Sequence, residues 1–93
     1  MTDGITAYNQ RRGSALAVQV MDIARSASEA QPISLWDINK AIADKYELKG
    51  NDRKNQYYAT RVVVQYLESA AMLASRKEWQ ESRYTKMIWP CWE

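Results

Sequence analysis

Apolar side chains recur at helical spacing in three segments of the chain, with short polar stretches between them. The first segment spaces its apolar residues by three and four positions, which predicts a helix over residues 12–29. Its stripe comprises Leu16, Val20, Ile23, Ala24 and Ala27. Residues 1–10 show no such period and are predicted to form a flexible arm ahead of a single domain over residues 11–93.

The second stripe predicts a helix over residues 34–46. Ser34 begins it as the first residue of a capping box, SLWD, in which Asp37 takes the third position. The stripe comprises Leu35, Ile38, Ala41, Ile42 and Tyr46. The preceding QPIS is expected to be extended, because Pro32 disfavours a helical conformation of Gln31.

The third segment predicts a helix over residues 51–71, with Asn51 or Asp52 as its N-cap. Gly50, just before it, is available for a left-handed turn. The inner stripe is predicted to comprise Ala59, Val62, Val63, Tyr66, Leu67 and Ala70. The outer face is predicted to hold Arg53, Lys54, Tyr57, Thr60, Arg61 and Val64.

Residues 72–89 are predicted to form a β-hairpin. Two runs, MLASRKEW and RYTKMIWP, lie on either side of QES, and the second is rich in residues that favour strands. Two alternatives remain for the inward face of the second strand: Thr85, Met87 and Trp89, or Tyr84, Lys86 and Ile88. The competing fold continues the third helix to about Ser82 and gives an all-α three-helix bundle, since residues 71–82 are also good helix formers.

The predicted class is therefore mainly α with a small β-hairpin (α+β). The order of helix, extended piece, helix, turn, helix and hairpin resembles that of a winged helix (winged helix-turn-helix) domain. The resemblance is carried by SLWDINKAIADKY, NDRKNQYYATRVVVQYLESAAML and RKEWQESRYTKMIWP. It implies DNA binding, with helix 51–71 in the major groove and wing 76–86 on the backbone. Winged helix proteins often have a glycine where this chain has Ala71, and a glycine-rich wing tip where it has QES.

Composition argues against catalysis. The 93 residues contain no histidine, one cysteine and three scattered glycines, which excludes histidine acid–base chemistry, a thiolate metal cluster and a phosphate-binding glycine loop. We therefore expect neither an enzyme nor a metal or other cofactor. The solitary Cys91 and the lack of an apolar block after Arg11 and Arg12 lead us to expect a cytoplasmic protein without a membrane span.

Positive charge is concentrated in two segments. Residues 49–61 are net +3 and residues 76–86 are net +2, whereas the remainder is net −3. Clustered cations of this kind are the electrostatic mark of a surface that binds DNA phosphates. The predicted double-stranded DNA contacts are Lys49, Arg53, Lys54, Asn55, Gln56, Tyr57, Thr60, Arg61, Arg76, Lys77, Arg83 and Lys86.

The leading hypothesis is a small regulator of transcription, of phage or mobile-element origin, that binds DNA as a homodimer. The alternative is a winged helix module that binds another protein, such as an inhibitor or a subunit of a complex. Its predicted anchors are Trp79, Trp89 and Trp92, because tryptophan is common at interface hot spots. Trp36 and Tyr58 are instead assigned to packing.

Overall fold

The computed structural model describes residues 15–91, which form three helices and one three-stranded antiparallel sheet. The first helix, α1, occupies residues 15–24 of this range. The other elements are β1 (Ile33–Ser34), α2 (Leu35–Lys45), α3 (Gly50–Ser69), β2 (Leu73–Gln80) and β3 (Arg83–Pro90). The predicted arm at residues 1–10 lies outside the described residues.

The start of α2 is the predicted one. Ser34 has an extended backbone, and its Oγ accepts a 2.9 Å hydrogen bond from the backbone N–H of Asp37. The same residue ends β1, where it pairs with Met87 of β3. One serine therefore joins the sheet to the first turn of α2.

One apolar core unites the three helices with the sheet. Its buried members are Leu16, Val20, Ala24, Leu35, Ile38, Ile42, Val64, Leu67, Leu73 and Ile88. The predicted stripes of α1 and α2 supply most of them. Two positions predicted for α2 are wrong, because Ala41 and Tyr46 are exposed while Asn39 and Ala43 are buried. Over residues 15–91, none of the helices combines the length and apolar character needed to cross a membrane.

The first helix ends five residues earlier than predicted. The backbone groups of Ser28 and Gln31 exchange two hydrogen bonds of 3.1 Å, and the Ser28 hydroxyl accepts a further bond of 3.0 Å from Gln31 N. Local bonds of this kind compete with helix formation. Ala27 therefore lies in a loop and not on the helix face.

The predicted hairpin is confirmed, and the long third helix with its all-α bundle is wrong. Strands β2 and β3 pair from Leu73↔Pro90 to Gln80↔Arg83, around a two-residue turn at Glu81 and Ser82. The sheet order is β1-β3-β2. The register puts Tyr84, Lys86 and Ile88 on the helix side, where Ile88 is fully buried, and this resolves the ambiguous strand face. Met87, on the opposite face, is also buried.

The turns use left-handed residues that are mostly not glycine. Gly50 has φ +58°, as expected, but Lys49 is the N-cap of α3, so the predicted caps at Asn51 and Asp52 are wrong. Ala71 has φ +59° and follows the end of α3. There Met72 N donates to Leu67 O at 2.9 Å and Ala71 N to Glu68 O at 3.0 Å, the bonding pattern of a Schellman motif.

Ala71→Gly should stabilise the protein by about 0.5–1 kcal/mol, because glycine relieves the strain of a left-handed alanine. Urea unfolding monitored by circular dichroism measures the change. Ala70→Gly is the matched control: Ala70 has φ −84°, so glycine there should destabilise by a similar amount. Equal effects at both positions would contradict the assigned conformation of Ala71.

Candidate nucleic-acid interface

An open groove of about 730 Å³ lies between the start of α2, one flank of α3 and the hairpin. Three polypeptide segments separated in sequence form its walls. The lining residues are Ser34, Leu35, Trp36, Asp37, Tyr57, Arg61, Gln65, Lys77, Gln80, Glu81, Arg83, Tyr84, Thr85 and Lys86. Arg61, from the first segment predicted to be basic, thus shares one concave surface with Lys77, Arg83 and Lys86 from the second.

A carboxylate of α3 holds the hairpin in place beside this groove. Glu68 accepts a 2.6 Å hydrogen bond from Lys86 Nζ on β3 and a 2.9 Å bond from Ser75 Oγ on β2. The Glu68 and Lys86 side chains are each about a quarter exposed, at 25% and 24%. Lys86, a predicted DNA contact, therefore lines the groove while its ammonium is already paired.

Three other cations in the groove are exposed: Arg61 on α3, and Lys77 and Arg83 on the hairpin. Within residues 15–91, none of them takes part in an ion pair. The groove also contains two carboxylates, Asp37 and Glu81, against its four cations. Its net charge of +2 attracts an anionic ligand and leaves three cationic head groups available to bind it.

Two predicted DNA contacts are committed to structural roles. Arg53 Nη1 pairs with Asp44 at 2.9 Å and donates to Leu48 O at 3.3 Å, which ties α3 to the end of α2. Arg76 lies on the outer face of the sheet. There it pairs with Glu78 at 2.6 Å and donates to Glu29 O at 3.0 Å. Neither arginine lines the groove, because each is drawn to carboxylate and carbonyl oxygens elsewhere.

Three predicted contacts are exposed but lie outside the groove lining: Lys49, Lys54 and Asn55. Lys54 is seven residues before Arg61 and therefore on the same flank of α3. Tyr57 is half-buried and lines the groove as predicted.

The predicted outward orientation of Gln56 and Thr60 is wrong, since both are fully buried. Gln56 Nε2 donates to Thr60 Oγ1 at 2.9 Å. The Thr60 hydroxyl lies 2.9 Å from Gln56 O and 3.3 Å from Asn39 Oδ1, and can donate to either. These polar groups satisfy one another inside the core, so neither side chain is available to a base edge.

Their burial rotates α3 relative to the prediction. The observed inner stripe is Gln56, Thr60, Val64 and Leu67. Val64, predicted to face outwards, is buried, whereas Val62 and Tyr66, predicted to face inwards, are 64% and 68% exposed. The run VVV permits several helix phases, and the buried polar cluster selects one.

Aromatic rings occupy both banks of the groove. On the helix bank, Trp36 contacts Tyr57 at 5.9 Å between ring centroids, and Tyr57 contacts Tyr58 at 5.9 Å. On the hairpin bank, Trp79 packs edge-on against Tyr84 at 4.9 Å. Trp36 and Tyr58, which were assigned to packing, do contact Tyr57, and each also leaves about half of its surface exposed.

The three predicted interface tryptophans differ in exposure. Trp79 is exposed beside Tyr84, as expected of an interface anchor. Trp89 is half-buried, and the Arg76 guanidinium lies over its ring, 5.5 Å from the ring centroid. Trp92 lies outside the described residues.

Sequence reasoning missed Trp36, Gln65 and Tyr84 as groove residues. Trp36 gave one usable signal, because it lies off the apolar stripe of α2 and so had no core position to fill. Tyr84 gave no such signal, because the face of β3 on which it lies depends on the strand register. Gln65 lies four residues after Arg61, so a correct helix phase would have placed both on one flank.

Comparisons of the chain with protein-family models, with curated proteins and with solved structures find no match. The chemistry of the groove is therefore the basis for a functional proposal.

Thr60→Val should destabilise the protein by about 1–3 kcal/mol, because it keeps the side-chain shape but leaves buried amide groups without their hydroxyl partner. Denaturant unfolding measures the loss. The exposed Asn55→Ala serves as the control and should change stability by less than about 0.5 kcal/mol. A Thr60→Val protein as stable as the control would contradict the buried network.

Proposed function

We propose that this protein binds double-stranded DNA as a winged helix domain and acts as a small regulator of transcription. The observation that carries the proposal is the groove, in which exposed cations from α3 and from the hairpin face a common space. A helix is of the right width to enter a major groove about 12 Å wide. With α3 in the major groove of the DNA, the adjacent sugar–phosphate strand runs between α3 and the hairpin.

The architecture supports this assignment. Three helices precede a hairpin whose second strand also pairs with a short strand before α2. This is the arrangement expected of a winged helix domain, with β2 and β3 as the wing. The hairpin supplies Lys77 and Arg83 for phosphates, as a wing on the backbone requires.

Base recognition falls to a different set of side chains from the one predicted. One exposed flank of α3 presents Lys54, Tyr58, Arg61 and Gln65, spaced by four, three and four residues, and the last two line the groove. Arginine recognises guanine and glutamine recognises adenine through paired hydrogen bonds in the major groove. Arg61 and Gln65 are therefore the proposed specificity residues.

A second candidate function is protein binding by the far flank of α3. Val62 and Tyr66 lie one turn apart and are largely exposed there, and exposed apolar neighbours are common at protein interfaces. This surface suits a homodimer contact or a protein partner, and it is separate from the groove. Val62→Ser with Tyr66→Ser should therefore abolish self-association or partner capture, and it leaves every cation of the groove in place.

The DNA-binding proposal is tested by Arg61→Ala, Lys77→Ala and Arg83→Ala combined. Each phosphate contact contributes about 0.9 to the slope of log affinity against log salt concentration, so the slope should fall by about two to three. Fluorescence anisotropy with duplex DNA at several salt concentrations measures it.

The matched control combines Arg25→Ala, Lys40→Ala and Lys45→Ala, which removes three charges from exposed sites outside the groove. If the two triple variants lose affinity and slope equally, binding follows net charge alone and the groove is not the DNA site.

A further inference from the structure

We infer that the groove receives unpaired nucleotides, whose bases stack on Trp36 and Tyr84, so that the protein prefers DNA in which a duplex adjoins a single strand. This inference rests on the proposed DNA binding and specifies its substrate class. The two rings lie on opposite banks of the groove, one on α2 and one on β3.

Both rings are presented to solvent by a second ring behind them. Trp36 is 51% exposed and contacts Tyr57 at an angle of 54°. Tyr84 is 69% exposed and rests against Trp79 at 75°. A ring supported in this way loses little conformational freedom when a ligand stacks on it.

The charge of the groove is modest for a surface that binds only phosphates. Asp37 and Glu81 offset two of its four cations, and Lys86 is already bound to Glu68. A strand within a DNA duplex offers the groove of the protein only phosphates and sugars, because its base faces are stacked inside the duplex. An unpaired base offers a flat face to an aromatic ring, and alternating rings and cations are typical of sites for single strands.

An uncharged polar group in the same space suits exposed base edges. Gln65, exposed on α3, lines the groove, and its amide carries both donors and an acceptor. A flexible acidic peptide would satisfy Arg61, Lys77 and Arg83 but would leave the ring faces without a flat partner. The combination of rings, an amide and cations therefore favours unpaired nucleotides.

The test compares three probes by fluorescence anisotropy: a blunt duplex, the same duplex with a five-thymidine overhang, and polyglutamate. We expect the overhang to raise affinity roughly tenfold over the blunt duplex, as stacking on two rings allows. Trp36→Leu with Tyr84→Leu should abolish that gain, so that the overhanging and the blunt duplex bind this variant equally. Trp36→Phe with Tyr84→Phe keeps the flat rings and should retain the gain.

Quenching of tryptophan fluorescence provides a second readout. Oligothymidine should quench the wild-type protein more strongly than Trp36→Leu, because Trp36 stacks on its bases. Circular dichroism and thermal melting of each variant test whether the substitutions leave the fold intact.

Each outcome supports or overturns a specific claim. Equal affinity for blunt and overhanging duplexes would overturn this inference and leave the proposed DNA binding standing. No binding to any DNA probe would overturn both. Polyglutamate bound as tightly as the overhanging duplex would show that the groove is a site for acidic peptides, which also overturns the inference.

Discussion

The side chain of Glu68 fixes the hairpin relative to α3, and the shape of the groove depends on that contact. Its carboxylate accepts hydrogen bonds from Lys86 on β3 and from Ser75 on β2, at 2.6 and 2.9 Å. The bond from the lysine joins two opposite charges, and bonds of that kind are roughly twice as strong as neutral ones. With the hairpin held in this position, Lys77 and Arg83 line the same groove as Arg61.

A second constraint decides which side chains of α3 reach the groove. The buried cluster of Gln56, Thr60 and Asn39 joins α3 to α2 and sets the rotation of α3 about its axis. That rotation turns Arg61 and Gln65 towards the groove and leaves Val62 and Tyr66 on the far flank. Polar residues in the core thus determine the chemistry of the surface, and their burial removes two of the predicted DNA contacts, Gln56 and Thr60.

Local signals predicted much of the fold. The cap at Ser34, the stripes of α1 and α2, and the strand preference of RYTKMIWP all act within a few residues. The helix phase of α3 was not predictable in the same way, because VVV fits several phases and the buried stripe begins with polar residues. The end of α3 lacked its usual signal, since Ala71 occupies the left-handed position that glycine normally takes. The roles of Arg53 and Lys86 depend on the carboxylates of Asp44 and Glu68, and Arg76 also donates to the carbonyl oxygen of Glu29. Only the tertiary structure brings these groups close.

The central claim is that the groove between α3 and the hairpin is the nucleic-acid site. It is tested most directly by titrating the ¹⁵N-labelled protein with a duplex that carries a short single-stranded overhang, followed by NMR. The account predicts that amide shifts concentrate at residues 57–65 and 77–85 and in the first turn of α2. Shifts confined to the outer face of the sheet around Arg76 and Trp89, or to the flank of Val62 and Tyr66, would contradict it.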